Sequence, residues 1–336
     1  MSVSIKDVAK KAGVSTATVS HVINGTRFVS EDTKQAVLRI MKQLDYRPNS
    51  VARSLRSQKS KIIGLIIPVT LPDTSSFFFS TVSQGIQKKL KENGYNLIVS
   101  NSTELQEDEI EQIRVFNSQL IDGLIIAPTA NDHSHLNDVL NGSYPVVFID
   151  RKPIGYLGDC VLVDGFKATY EAVKLLISKG HNRIAYIGGQ LGMTTSNERF
   201  EGYRRALIDS GLSPDDSMVM HSNFGEATFQ NGYNYTKELM SRSEFTALFV
   251  ANNIMSMGTM AFLQEKGVKI PQELAVIGFD DYEWAKITIP PLSVIKQPSF
   301  ELGVKAAEVL LDKINSPDDN YKEYRLDAQL IIRKSF

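Results

Sequence analysis

The chain of 336 residues is 42% hydrophobic and 22% charged, ordinary proportions for a globular protein and enough length for more than one core. They exclude collagen-like, coiled-coil and wholly disordered classes. The net charge of -1 hides an asymmetry, because Met1 to Lys61 carries 12 Lys and Arg against 4 Asp and Glu, a net of +8 that leaves -9 on the remainder. A small basic head on a mildly acidic body is the charge pattern of a nucleic-acid reader, with a basic solubilising tail as the plain alternative.

The opening residues, Met1 to Lys11, are polar and alternate charge, and no later apolar run approaches the roughly 20 residues of a membrane span. A cytoplasmic protein without a membrane partner is therefore expected. Ser4 reads as a helix cap for a segment with Ile5, Val8, Ala9 and Ala12 on one face, and Gly13 permits the exit conformation. A second helix, Ser15 to Asn24, places Val19, Val22 and Ile23 on one face and ends at Gly25. Two short helices joined by a tight glycine turn form a helix-turn-helix, and a third, Ser30 to Leu44, covers it with Val37, Ile40, Met41 and Leu44. This periodicity is what a solubilising tail would lack. The open face of the second helix carries Thr16, Ala17, Ser20 and His21, small or hydrogen-bonding groups that can approach base edges or phosphates. Plain helix-surface polarity remains the alternative for Thr16, Ser20 and His21. After Tyr46, Asn49 can cap a short segment, Ser50 to Arg56, that is marginal as a helix unless DNA or a partner orders it.

The runs Ile5 to Ala9, Val14 to Asn24 and Tyr46 to Leu55 resemble the headpiece and hinge helix of the lac-repressor (LacI/GalR) family, in its ribose- and purine-repressor-like form. The resemblance implies that the second helix enters the major groove and that paired hinge helices of a homodimer insert a leucine wedge, here Leu55, into the minor groove of a near-palindromic operator. It implies a DNA-contacting set of Ser15, Thr16, Ala17, Ser20, His21, Asn24, Arg27, Tyr46, Asn49, Ala52, Arg53, Leu55 and Arg56. Ala17 stands where a hydroxyl residue is found in purine-repressor-like members. An exposed Leu in a basic segment agrees independently with an unstacking wedge.

Beyond Lys61, apolar strands alternate with helical periods: Ile62 to Ile67, Leu97 to Val99, Leu124 to Ala127, Val146 to Ile149, Ile184 to Ile187, Leu248 to Val250 and Val276 to Phe279. Such alternation predicts parallel sheets covered by helices, and two successive series split near Cys160 to Asp164 predict two doubly wound lobes. The expected organisation is an all-α three-helix headpiece over 1–48 and a hinge helix and linker over 49–61. An α/β body follows, with a first lobe of 62–161 and 291–322 and a second of 162–290 and 323–336.

Ligands of open parallel sheets bind at the carboxyl ends of the strands, and the residues there are polar. Asp150-Arg151 follow one run, Asn252-Asn253 another and Asp280-Asp281 a third; Phe78 and Phe79 follow the first, and Arg199 opens a helix. Carboxylates and amides can pair with hydroxyls, Arg can donate a fork of hydrogen bonds, and aromatic faces can stack on a sugar ring. Asp150 and Asp280 could instead cap helices, and Phe77 or Phe78 could belong to the core. The body resembles the periplasmic sugar-binding fold of the same family, which implies an effector site of Phe78, Phe79, Asp150, Arg151, Arg199, Phe224, Asn252 and Asp280. Ser76-Phe77 stands where an Asn-Pro pair is usual, and Asn253 replaces the common Asp.

No catalytic constellation, cofactor fingerprint or metal-ligand spacing is present: His133, His135, His181 and His221 lack partners at ligand spacing, and Cys160 reads as a buried thiol. The expected function is a non-enzymatic, sugar-responsive repressor. A same-fold regulator gated by a phosphocarrier protein is the alternative, and an enzyme with a DNA-binding appendage a remote one. With no heptad tail after Arg333, a dimer is expected rather than a tail-joined tetramer. If Leu55 is the wedge, Leu55→Ala should lose operator bending and several kcal/mol of specific affinity while nonspecific binding and its salt slope hold. Bend angle and affinity at matched salt check this, and equal values in both proteins would make Leu55 a plain linker residue.

Overall fold

The computed structural model describes residues 3–25, 27–46, 59–69, 75–129, 132–140, 142–223 and 226–336. The expected contacts Asn49, Ala52, Arg53, Leu55, Arg56 and Phe224, and the side chain of Asn24, lie outside the described residues. The chain divides into two compact units, Met1–Ser60 and Lys61–Phe336.

The first unit is three helices, α1 (Ile5–Ala12), α2 (Thr16–Asn24) and α3 (Glu31–Gln43). Local chemistry sets each start. Ser4 donates to the Asp7 carboxylate from its backbone N–H at 2.9 Å and its hydroxyl at 2.7 Å, bonds that hold the Asp7 carboxyl below the usual range. The Ser15 hydroxyl accepts from the Thr18 N–H at 3.1 Å, and Gly13, at φ 67°, makes the left-handed exit from α1. Val8, Ala9, Val19 and Val37 form the buried centre, surrounded by Ile5, Val22, Ile40 and Leu44.

The second unit holds two six-stranded sheets. The first contains β1 (Ile62–Pro68), β2 (Asn96–Ser102), β3 (Gly123–Ile126), β4 (Val146–Ile149), β5 (Asp159–Val163) and β11 (Glu323–Leu326), in the spatial order β11-β5-β4-β3-β1-β2 with every pair parallel. The second contains β6 (Ile184–Gly188), β7 (Val219–His221), β8 (Ala247–Val250), β9 (Ala275–Phe279), β10 (Ser293–Lys296) and β12 (Gln329–Ile331), in the order β12-β10-β9-β8-β6-β7. Only the β10–β12 pair is antiparallel among the described strands of that sheet. Helices α4 (Ser75–Glu92), α5 (Gln106–Ser118), α6 (Leu136–Val139) and α12 (Ser299–Asn315) accompany the first sheet. Helices α7 (Gly165–Ser178), α8 (Thr194–Ile208), α9 (Phe229–Arg242), α10 (Asn253–Glu265) and α11 (Glu283–Ile287) accompany the second.

Two expected boundaries need correction. The segment at 291–296 contains β10 (Ser293–Lys296), which pairs with β9 and belongs to the second lobe rather than the first. Residues 323–326 are β11, parallel to β5, and belong to the first lobe rather than the second. Both strands are four residues long, and β11 reads Glu-Tyr-Arg-Leu on a half-exposed edge, so hydrophobic periodicity says nothing about their partners. The chain therefore crosses between lobes after β5, after β10 and after β11.

The helices meet backbone to backbone through paired glycines. A Cβ at Gly85 would strike the Phe300 carbonyl, and one at Gly303 would strike that of Val82, so α4 and α12 approach through both glycines. In the second lobe Gly232 faces the backbone of Met255 and Gly258 the carbonyl of Phe229, pairing α9 with α10 in the same way. Gly258→Ala should overpack this contact and destabilise the second unit by about 1–3 kcal/mol, read as an earlier denaturant midpoint at unchanged m-value.

Candidate functional site

The strand ends of both sheets face one cavity of about 750 Å³. That volume lies within the range of small-molecule pockets, and the position is where parallel sheets bind ligands. Phe78, Phe79, Asp150, Arg151, Arg199, Asn252 and Asp280 all line it. The seven sequence-selected residues that are described thus come together, although they are spread over about 200 positions of the chain.

Asp150 and Asp280 occupy equivalent places, each the first residue beyond a central strand and each in the left-handed region, at φ 64° and 66°. An Asp tolerates this conformation better than most side chains, and strain of this kind gathers at ligand sites. Neither caps a helix: the residue capping α11 is Tyr282, and Asp280 accepts instead from Gln297 Nε2 at 2.7 Å. Burial pushes the Asp280 carboxyl up to about 6, against the opposing pull of Arg199 and the Gln297 hydrogen bond. Burial raises Asp150 as well, opposed by Arg151 and Arg199. Asp281 turns elsewhere and pairs with Arg333, so the adjacent carboxylates do not act together.

The two guanidiniums differ. Arg151 grips Glu104 with a two-pronged contact of 2.6 and 2.7 Å, donates to the Pro128 carbonyl at 3.3 Å and lies 3.5 Å from Asp150. Arg199 stacks on the Phe279 ring at 3.7 Å and donates to the Ala251 carbonyl at 2.8 Å, while its buried Nε has no hydrogen-bond partner among the described residues. A second orphan, the Ser222 hydroxyl, also lines the cavity. Buried donors without partners are costly and point to a missing acceptor. Asn252 serves twice, lining the cavity and capping α10 through the Met255 N–H at 3.1 Å. Its neighbour Asn253 accepts from Trp284 Nε1 at 3.0 Å. Phe78 and Phe79 edge the cavity while packing in the first-lobe core, so the core and ligand readings both apply to them.

Among the described residues, three contacts tie the lobes across the cleft. The Lys152 N–H donates to Thr194 Oγ1 at 3.1 Å, Arg325 meets Glu198 at 2.7 Å, and the Phe77 and Tyr282 rings lie 5.7 Å apart. Sequence reasoning missed Glu104, Gln190, Ser222, Asn223 and Gln297, all cavity residues within two positions of a strand end. Inspecting the end of every strand, not only of the strongest apolar runs, would have found them. The histidines have local roles instead: His135 Nε2 lies 2.8 Å from Glu109 Oε1, and His133 Nδ1 accepts from the Ile154 N–H at 3.0 Å.

In the first unit, Thr16, Ala17 and Arg27 are exposed, Ser20 and His21 are half-buried, and Tyr46 packs against the three-helix core. Ser15 spends its hydroxyl on the α2 cap and on Thr18 Oγ1 at 2.9 Å.

A family described as periplasmic binding proteins and sugar binding domain of LacI family matches residues 60–334, and one described as bacterial regulatory proteins, lacI family, matches residues 4–49. The HTH-type transcriptional repressor PurR of Haemophilus influenzae (strain PittEE) is 36% identical over 337 residues, covering 98% of either chain. The lac repressor dimer bound to operator and the anti-inducer ONPF superposes with a TM-score of 0.86 at 27% identity, over 100% of this chain and 99% of that one. A regulator from Enterococcus faecium with bound ribose superposes with a TM-score of 0.70 at 30% identity, over 82% of this chain and 98% of that one.

The raised Asp280 carboxyl has a thermodynamic signature of definite sign. Between pH 3.8, its ordinary value, and about 6, the folded protein holds a proton that the unfolded chain has released, so stability falls as pH rises through that window. Asp280→Asn should flatten this part of the curve, gaining up to about 3 kcal/mol relative to wild type at pH 7 and nothing at pH 4. Denaturant melts of both proteins across pH 4 to 7 check it.

Proposed function

Because the chain belongs to the LacI family of bacterial regulatory proteins, a helix-turn-helix head joined to a small-molecule effector domain, we propose that it represses transcription under the control of a sugar or sugar derivative bound in the cleft. One observation carries the effector reading: hydrogen-bonding groups from both lobes, Asp150, Arg199, Asn252 and Asp280, converge on one cavity edged by Phe78 and Phe79. Vicinal hydroxyls satisfy carboxylate acceptors and guanidinium donors at once, and aromatic rings cover the apolar face of a pyranose or furanose. The bound ribose of the Enterococcus faecium neighbour supports this reading.

A molecule that bridges the two walls binds the closed arrangement of the lobes better than the open one and shifts the balance between them by that difference. Operator affinity then follows the lobe arrangement. The chain acts as a dimer whose two heads read the halves of a near-palindromic operator, as the dimeric lac repressor bound to its operator suggests. Thr16, Ala17, Ser20, His21 and Arg27 are the described residues proposed to meet the DNA. The protein is a regulator, not an enzyme.

Effector titration of operator binding tests the proposal. A saturable shift produced by a sugar alone supports it, whereas a shift that appears only with a phosphocarrier protein, or a nucleobase outcompeting every sugar, overturns the sugar reading. Arg199→Ala should cost on the order of 2–5 kcal/mol of effector affinity by calorimetry, because it strands buried acceptors opposite. Operator affinity measured without effector should stay within a few-fold of wild type, and unchanged effector affinity would remove Arg199 from the site.

A further inference from the structure

The charges around the cleft decide what kind of sugar it accepts, given the sugar reading above. Four carboxylates, Glu104, Asp150, Glu198 and Asp280, face three guanidiniums, Arg151, Arg199 and Arg325. Two guanidiniums are committed. Arg151 is held by both oxygens of Glu104, and Arg325 by Glu198. The third, Arg199, lies within the field of both Asp150 and Asp280, so an incoming anion meets a guanidinium whose charge two carboxylates already offset.

Helix amino termini are the other seats that phosphates use. Here the α10 terminus is closed by Asn252 Oδ1 on the Met255 N–H, and the α9 terminus by Thr228 Oγ1 on the Asn231 N–H, each at 3.1 Å. The first turn of α8 lines the cavity with Thr195 and Ser196 and has no side-chain cap, but the Glu198 carboxylate follows two positions on. A dianionic phosphate would add two charges to a cleft in which carboxylates already outnumber guanidiniums. At an effective dielectric of about 20, each unit of like charge 4 Å away costs on the order of 4 kcal/mol.

We propose that the effector is an uncharged polyhydroxylated ring and that the Glu104–Arg151 pair excludes its phosphorylated forms. Glu104 is then a specificity residue: it cancels the guanidinium that would otherwise welcome a phosphate, and it turns Arg151 into a fixed hydrogen-bond donor beside Asp150.

The test is calorimetry on the full chain with D-ribose, D-glucose, D-galactose and D-fructose, each against its terminal phosphate ester. Wherever a sugar binds, its phosphate should bind at least ~10-fold more weakly. In Glu104→Gln, with Arg151 released, that gap should shrink by roughly 10-fold. A phosphate that binds the wild type as tightly as its parent sugar overturns this inference and leaves the sugar reading standing. Failure of all eight probes removes the sugar reading and this inference with it. The wild-type comparison decides the matter even if Glu104→Gln does not fold, and a folded Glu104→Gln with an unchanged gap removes Glu104 from the specificity role.

Discussion

Two largely buried carboxylates, Asp150 and Asp280, must share one cleft, and much of the body is arranged to make that tolerable. Each is set in left-handed backbone at the end of a central strand, each is pushed toward its neutral form by burial, and Arg199 pulls both back. That guanidinium is itself fixed by the Phe279 face and the Ala251 carbonyl. Such an arrangement is unstable if its walls drift, because charges in low dielectric lose their partners at large cost. The glycine-paired helices answer this need by letting α4 lie directly on α12 and α9 on α10, so that each lobe is closely packed.

Closely packed lobes joined by three crossings make a ligand's contacts add across the cleft rather than within one wall. Among the described residues the lobes meet through the Lys152–Thr194 hydrogen bond, the Arg325–Glu198 pair and the Phe77–Tyr282 rings. Partly exposed contacts of that kind contribute little each, so a bridging ligand can dominate the balance between arrangements. Gln297 has a special place among the crossings. It leaves β10 for α12 and holds Asp280 on the way, so the ligand wall and the connection between lobes share a residue.

Much of this was legible in the sequence. Periodicity and caps located the three head helices to within a residue at each end, since Ser4, Ser15, Gly13 and Gly25 act through purely local chemistry. The strand-end rule delivered Asp150, Arg199, Asn252 and Asp280 because the strands before them, or beside them, are buried on both faces and therefore read as unbroken apolar runs. It failed at β2, an edge strand whose polar half, Ser100 to Ser102, disguised its end and with it Glu104. The lobe assignments of β10 and β11 failed for a related reason. Which sheet a strand joins is settled by partners far away in the chain, and a four-residue segment carries no trace of them.

The return of the chain to the first lobe has a consequence for how the protein is made. Strands β1 to β5 leave the ribosome early, yet α12, which closes over the apolar faces of α4, β3 and β4, begins only at Ser299, and the edge strand β11 at Glu323. Until those late residues emerge, the earliest-synthesised part of the body has no cover for Val82, Ile86 and Ile125 and must wait while its partner lobe is translated. Both lobes are thus completed late, the first by β11 and the second by β12 just after it. Damage near the carboxyl end therefore reaches both lobes, and a nascent chain stalled before α12 is a natural client for a chaperone.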